Sequence, residues 1–143
     1  MILEKISSIK MISTNTVSLL HYLRNSQITE ISISPIDFSI KFTLTFAFNT
    51  HSKNFVIQLF EVAHISCSKD VEDNEGCYVV YEIKLNEISD GGKNILSSLN
   101  YPIKNRNGDV FSYPSKTLFH FHLEGDMCIE AICGKYHIFE LER

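Results

Sequence analysis

With 143 residues, 44% of them hydrophobic, the chain has the length of one domain and enough apolar material for one core, so a disordered chain is excluded and residues 1–143 are expected to form a single domain. Thirteen Lys and Arg against seventeen Asp and Glu give a formal charge of −4 with no basic cluster, so nucleic acid is not an expected partner and a basic protein surface is a better match. Ten Phe and six Tyr favour strands.

The N-terminal stretch "MILEKISSIKMISTNTVSLL" carries Glu4, Lys5 and Lys10 where an export signal needs an unbroken apolar run, and it lacks a small-residue cleavage site. A cytoplasmic protein is expected. The four cysteines, Cys67, Cys77, Cys128 and Cys133, form no C-x-x-C pair and are expected to remain reduced, buried thiols. Leu19, Leu20 and Leu23 follow at helical spacing, with Thr14 and Asn15 as candidate caps and Asn25 as a terminator. This is the predicted N-terminal helix.

From Ile28 the period changes to two. Ile31 and Ile33 alternate with serines, Pro35 interrupts, and Phe38, Ile40, Phe42, Leu44, Phe46 and Phe48 then take every second place. The polar alternate positions, Ser39, Lys41, Thr43 and Thr45, suit an antiparallel sheet with one wetted face. This greasy segment is far shorter than the roughly 20 residues a bilayer helix needs, so no membrane span is expected. "NTHSKN" is predicted as a turn, followed by a strand over Phe55–Cys67 and a partner strand over Tyr78–Leu85.

The connection between them, "KDVEDNEG", places Asp70, Glu72, Asp73 and Glu75 close together. Their mutual repulsion predicts a solvated loop suited to a basic partner. "DGGKNILSSLNY" is predicted as a short second helix with Gly91 and Gly92 at its entrance, and Pro102–Lys116 as an exposed polar loop with a tight turn at Asn107-Gly108.

The C-terminal stretch gathers His120, His122, Cys128, Cys133 and His137, residue types that metals favour. Strand alternation puts Phe119, Phe121 and Leu123 on one face and His120, His122 and Glu124 on the other; Cys128 and Glu130 share a face opposite to Ile129, Ala131 and Cys133. The two cysteines therefore cannot join the histidine pair without a register shift. No metal and no cofactor are expected. Glu124 or Glu130 beside His122 could orient an imidazole for acid–base chemistry, but no hydrolase, phosphate-loop or dinucleotide motif is present, so the chain is not expected to be an enzyme. Gly125-Asp126 and Gly134 are predicted turns, making the C-terminus a three-stranded meander. The fold class is thus α+β: a mainly antiparallel sheet with an N-terminal helix and a second short helix.

The segment "LFHFHLEGDMCIEAICGKYHIFEL", with a strand, a Gly-Asp turn, an I-E-A-I-C strand and an amphipathic closing strand, resembles the ending of small bacterial immunity proteins. Those are cytoplasmic antidotes to polymorphic toxins, including the toxins of contact-dependent growth inhibition. The resemblance implies a non-enzymatic inhibitor that binds the C-terminal domain of a cognate, nuclease-type toxin and blocks its active site. Asp70, Glu72, Asp73, Glu75, His120, His122 and Glu124 are the candidate contact residues, and the oligomeric state is left open. The alternatives are a small metal-dependent enzyme built on His120 and His122, and a structural, self-assembling subunit.

Overall fold

The computed structural model describes residues 2–6, 14–48, 51–72, 78–99 and 101–141. In chain order the elements are β1 (Ile2–Ile6), α1 (Thr14–Tyr22), β2 (Gln27–Ser34), β3 (Ser39–Phe48), β4 (His51–Lys69), β5 (Tyr78–Ile88), α2 (Lys93–Ser97), β6 (Leu118–Gly125) and β7 (Met127–Leu141). Every pairing among the named strands is antiparallel, so the mainly antiparallel α+β architecture with an N-terminal and a second short helix holds.

The hydrogen-bonded order is β1-β7-β4-β3-β2-β5-β6, with a further β6–β7 pairing. Strands β2 to β7 therefore form a ring, which closes at β2–β5 through Gln27–Val79 and Ile28–Tyr78. β1 adds to the last residues of β7. Closing a sheet on itself removes the free edges through which strands aggregate.

The alternation of β3 explains its place in this ring. Ile40, Phe42 and Leu44 are buried inside, while Lys41 is exposed and Thr43 is half-buried on the other face. Phe55, Ile57 and Leu59 of β4, Ile83 and Leu85 of β5, and Phe119, Phe121 and Leu123 of β6 join them in one cluster. The rings of Phe42 and Phe121 stack with centroids 5.4 Å apart, and Phe119 meets Tyr136 edge-on at 5.1 Å. Leu20 and Leu23 bring α1 into the same core, and Asn25 ends its last turn at φ 70, a left-handed conformation that Asn tolerates. The interior is filled with side chains.

Several expectations are corrected. Phe38 is not the first residue of the β3 alternation: it sits in the turn after Pro35 at φ 50 and is 65% exposed. Of the predicted "NTHSKN" turn, residues 49–50 lie outside the described residues, and His51 already pairs with Phe48. Among the described residues β4 and β5 do not pair; β4 lies between β3 and β7, and β5 between β2 and β6, so the acidic connection links strands that are not neighbours. β1, for which no strand was predicted, pairs with β7.

The largest correction concerns Gly134. No turn forms there, and β7 runs unbroken from Met127 to Leu141. What the glycine marks is a change of phase. Ile129, Ala131 and Cys133 belong to the interior cluster, and so do Tyr136 and Ile138, a step of three residues instead of two. On the facing strand, Glu61 takes φ 53 between Leu59 and Val62, which both pack inward. A Cβ on Gly134 would lie 2.6 Å from Glu61 Oε1 and 3.1 Å from Glu61 Cβ, so the missing side chain makes room for the Glu61 side chain. That carboxylate pairs with Lys116 and, at 3.4 Å, with Lys135.

A second cluster lies outside the ring. Leu96 of α2 packs with Leu118 and Ile132, which pins the β5–β6 excursion, residues 89–117, to the outer face of the sheet. Gly91 at φ 69 lets the excursion return close to its own start, and Tyr113 N donates to Gly91 O at 2.8 Å.

Phe121→Ala empties a fully buried site and is expected to cost about 3–5 kcal/mol, seen as a large fall in the urea midpoint; an unchanged midpoint contradicts the assigned strand face. Glu61 supplies a pH test. The hydrogen bond from Lys116 holds its carboxyl below its ordinary value, with Lys116 and Lys135 charges adding and partial desolvation opposing. Its stabilising contribution is thus present above the unfolded value of about 4.3 and is lost as pH falls through the lower folded value. Glu61→Gln should reduce the melting temperature at neutral pH and make its decline below pH 4.5 shallower than in the parent protein.

Candidate functional site

The outer face of β4, β6 and β7 carries the histidines. Across the register, His120 faces Ile132 and His122 faces Glu130 on one side of β7, while His64 faces Ile132 and Ser66 faces Glu130 on the other. Glu130 thus stands between two strands that each offer an imidazole. Its Oε2 is 2.8 Å from His120 Nε2, and its Oε1 is 3.9 Å from His64 Nε2, beyond hydrogen-bond length. His122 lies parallel to His120 with centroids 6.3 Å apart, and its Nε2 is 3.8 Å from Glu124 Oε1.

The predicted faces are therefore correct, and of the two carboxylates expected beside His122, Glu124 stands there while Glu130 holds His120. Among the described residues no group of three or more His, Cys, Asp or Glu side chains is arranged to hold a metal. Cys133 points into the core while Cys67 and Cys128 are exposed, which corrects the expectation of uniformly buried thiols; Cys77 lies outside the described residues.

Asp70 and Glu72 are exposed where β4 ends. Asp70 Oδ1 accepts from Glu72 N at 2.9 Å, which folds the start of the loop back on itself. Asp73 and Glu75 lie outside the described residues. At the same end of the ring, Glu82 and Glu124 are cross-strand partners, and Asp126 accepts from Val79 N at 3.0 Å and Tyr81 Oη at 2.7 Å. Those two donors hold the Asp126 carboxyl below its ordinary value. Asp70 and Glu72 thus belong to an acidic end that, among the described residues, also includes Glu82, Glu124 and Asp126.

Sequence reasoning found the short helix and the Asn107-Gly108 turn of the excursion but missed its hairpin. Residues 101–113 are a small hairpin rather than a polar loop: Lys104 bridges Val110, Phe111 N donates to Ile103 O at 3.1 Å, and Asn105 N donates to Asp109 O at 2.8 Å. Gly108 takes φ 86 in the turn. Tyr101 and Ile103 on one arm and Phe111 and Tyr113 on the other are all exposed, Tyr101 to 93%. With Leu99 and His64 they line a hollow of about 190 Å³ between hairpin and sheet. That is below the roughly 300 Å³ at which sites for drug-sized ligands begin, and it suits one or two side chains. A second, more open hollow of about 570 Å³ shares His64, Leu99 and Tyr101 and extends to Ser66 and Glu130. Together they make a groove with an aromatic end and a Glu130 end. The signal that could have found it was apolar residues at period two on both sides of Asn107-Gly108, a hairpin pattern.

No protein-family model matches the chain, and no curated protein matches it. Among the described residues no helix is long and apolar enough to cross a membrane.

The thiols check this assignment of faces. Burial pushes Cys133 up to about 12, whereas Cys128 is exposed, and Cys67 is exposed with its pKa raised by desolvation and by Cys128. Of the three described thiols, iodoacetamide near neutral pH should modify Cys128 first and Cys67 next in the folded protein, and Cys133 only after addition of urea. Mapping of modified peptides by mass spectrometry reads the order; Cys133 reacting as fast as Cys128 would reverse the faces of β7.

Proposed function

We propose that the protein is a non-catalytic inhibitor of the immunity type, which binds the C-terminal domain of a cognate toxin in the bacterial cytoplasm and covers its active site. The observation that carries this reading is the row of exposed Tyr101, Ile103, Phe111 and Tyr113 on a hairpin fixed to a packed ring. Tyrosine and phenylalanine displayed on a rigid support are the anchors of protein–protein interfaces. Contiguous exposed apolar surface on a chain of this size marks a contact site. The resemblance of the C-terminal segment to immunity proteins supplies the class of partner, and the acidic end supplies the electrostatics: Asp70, Glu72 and Glu124, with Asp73 and Glu75 following in the sequence, suit the cationic substrate cleft of a nuclease-type toxin. His120 and His122 lie on the face between that end and the groove.

The arrangement favours binding over turnover. The His120 to Glu130 pair resembles an oriented imidazole, but among the described residues no Ser, Thr or Cys side chain is hydrogen-bonded to either partner of it as a nucleophile would be.

The test is to sequence the reading frame directly upstream, for which this reading expects a large secreted protein, and to co-express the C-terminal domain of that product with this chain. Relief of growth arrest together with a nanomolar complex supports the reading, and failure to bind or protect overturns it. Given that complex, replacing Asp70, Glu72, Asp73 and Glu75 with Asn or Gln should slow association measured by stopped flow at low salt, towards the 10⁵ to 10⁶ M⁻¹s⁻¹ on the order of an unsteered encounter. It should also flatten the salt dependence. Unchanged association and salt slope would remove the loop from the interface.

A further inference from the structure

We infer that the groove between the hairpin and the outer face of β4 and β7 receives a short segment of the partner protein in one polarity, with an apolar or aromatic side chain seated at Tyr101 and Phe111 and a Lys or Arg reaching Glu130. This rests on the protein-binding reading above and names the chemistry of the partner at that site.

The apolar half of the argument is shape. The first hollow is lined by Leu99, Tyr101, Ile103, Val110 and Phe111 around His64, and its floor is held by the contact of Leu96 with Leu118 and Ile132. The hairpin is closed by its own backbone hydrogen bonds and by the Tyr113 N to Gly91 O bond, so the hollow is formed before anything enters it. A preformed apolar hollow this small takes a side chain without the ordering cost of a flexible loop.

The charged half fixes the cation. Glu130 is 40% exposed, and its two contacts within ion-pair distance are the imidazoles of His120 and His64, which carry a full charge only when protonated. No Lys or Arg among the described residues is paired with it. Oε1, at 3.9 Å from His64, is not hydrogen-bonded there, and Glu130 lines the open hollow with Ser66, Leu99 and Tyr101. A guanidinium or ammonium arriving from a partner meets a carboxylate that the chain itself leaves without a cation.

Polarity follows from the two ends. Beyond Ile103 the hairpin tip exposes Lys104, Arg106 and Asp109, a net positive charge that disfavours a cationic segment. Beyond Ser66, β4 runs on to Asp70, roughly 13 Å away at about 3.3 Å per residue. A segment entering with its cation towards Glu130 continues over the acidic end, whereas the reversed segment would carry its charge to the basic tip.

The experiment is a titration of the ¹⁵N-labelled full-length protein, followed by amide chemical shifts, with the capped tripeptides acetyl-Phe-Gly-Arg-amide and acetyl-Phe-Gly-Glu-amide and with phenethylamine. The expected result is shifts confined to 63–66, 95–113 and Glu130. The Arg peptide should bind about threefold to fivefold more tightly than the Glu peptide, the size of a partly exposed ion pair. Glu130→Gln should erase that preference, and Tyr101→Ala should weaken both peptides, with amide shifts on β2 and β3 confirming that each variant is folded. Shifts elsewhere on the surface, equal binding of the two peptides to the parent protein, or phenethylamine binding more tightly than the Arg peptide would each overturn the proposal, the last by assigning the groove to a small amine. No toxin enters this measurement. Peptide selectivity without toxin neutralisation therefore sinks the immunity reading alone, and neutralisation untouched by Tyr101→Ala, with no peptide binding, sinks the groove alone.

Discussion

The structure turns on the rung where Glu61 faces Gly134. β4 and β7 pair along nearly their whole lengths, and two flat strands of 19 and 15 residues would keep one set of side chains on one face throughout. Here both change phase on the same rung, so the inward residues of each half continue to face the interior after the sheet bends. The bend lets one part of β7 pair with β6 and a later part with β1 while β4 follows the other edge. A left-handed glutamate costs on the order of 1 to 3 kcal/mol. It is held by two lysines and by the absence of a side chain on the residue opposite. One of those lysines, Lys116, belongs to the β5–β6 excursion, so the same carboxylate that fixes the bend also ties down the segment that forms the groove.

This rung also explains where the sequence misled. A glycine next to a break in alternation has the appearance of a turn, and the phase change at Gly134 produced that pattern inside an unbroken strand. Phe38 misled in the opposite way: its spacing continued the β3 alternation, but the backbone had already turned left-handed. Phe42, Leu44, Phe119, Phe121 and Ile129 were legible as core because their alternation is local and uninterrupted. The neighbours of β4 and β5 were not legible, since ring closure is decided by contacts between strands far apart in the chain, and proximity in sequence suggested a hairpin that the acidic loop does not make. β1 lay hidden for the same reason, its partner being at the opposite end of the chain.

Of the candidate site, the histidine face was readable because two residues apart on a strand means one side of a sheet. The partner of His120 was only half readable: Glu130 was recognised as a neighbour of His122, but its position between His120 and His64 depends on the β4 register, which carries a shift between Val62 and His64. The groove escaped notice because Tyr101, Ile103, Phe111 and Tyr113 are diluted by Asn, Lys and Asp, and a polar average concealed an apolar row.

A ring packed with Phe, Leu and Ile leaves recognition to what lies outside it, and the two ends of the β5–β6 pair do different physical work. Charge acts at a distance: at physiological salt the field of exposed carboxylates extends about 8 Å, enough to orient an approaching cationic surface but too diffuse to hold it. Apolar anchors act only on contact, and they control how slowly a complex separates. The acidic end carries the first property and the hairpin the second, with Glu130 between them on the same outer face. On the proposed reading, a partner drawn in by Asp70 and Glu72 would be delivered towards Glu130, and its final approach would bring an apolar side chain against Tyr101 and Phe111. Because α2 and the Gly91–Tyr113 contact fix the hairpin to the ring, little conformational freedom remains to be lost in that last step. Affinity then depends on the fit of one segment rather than on the total area covered.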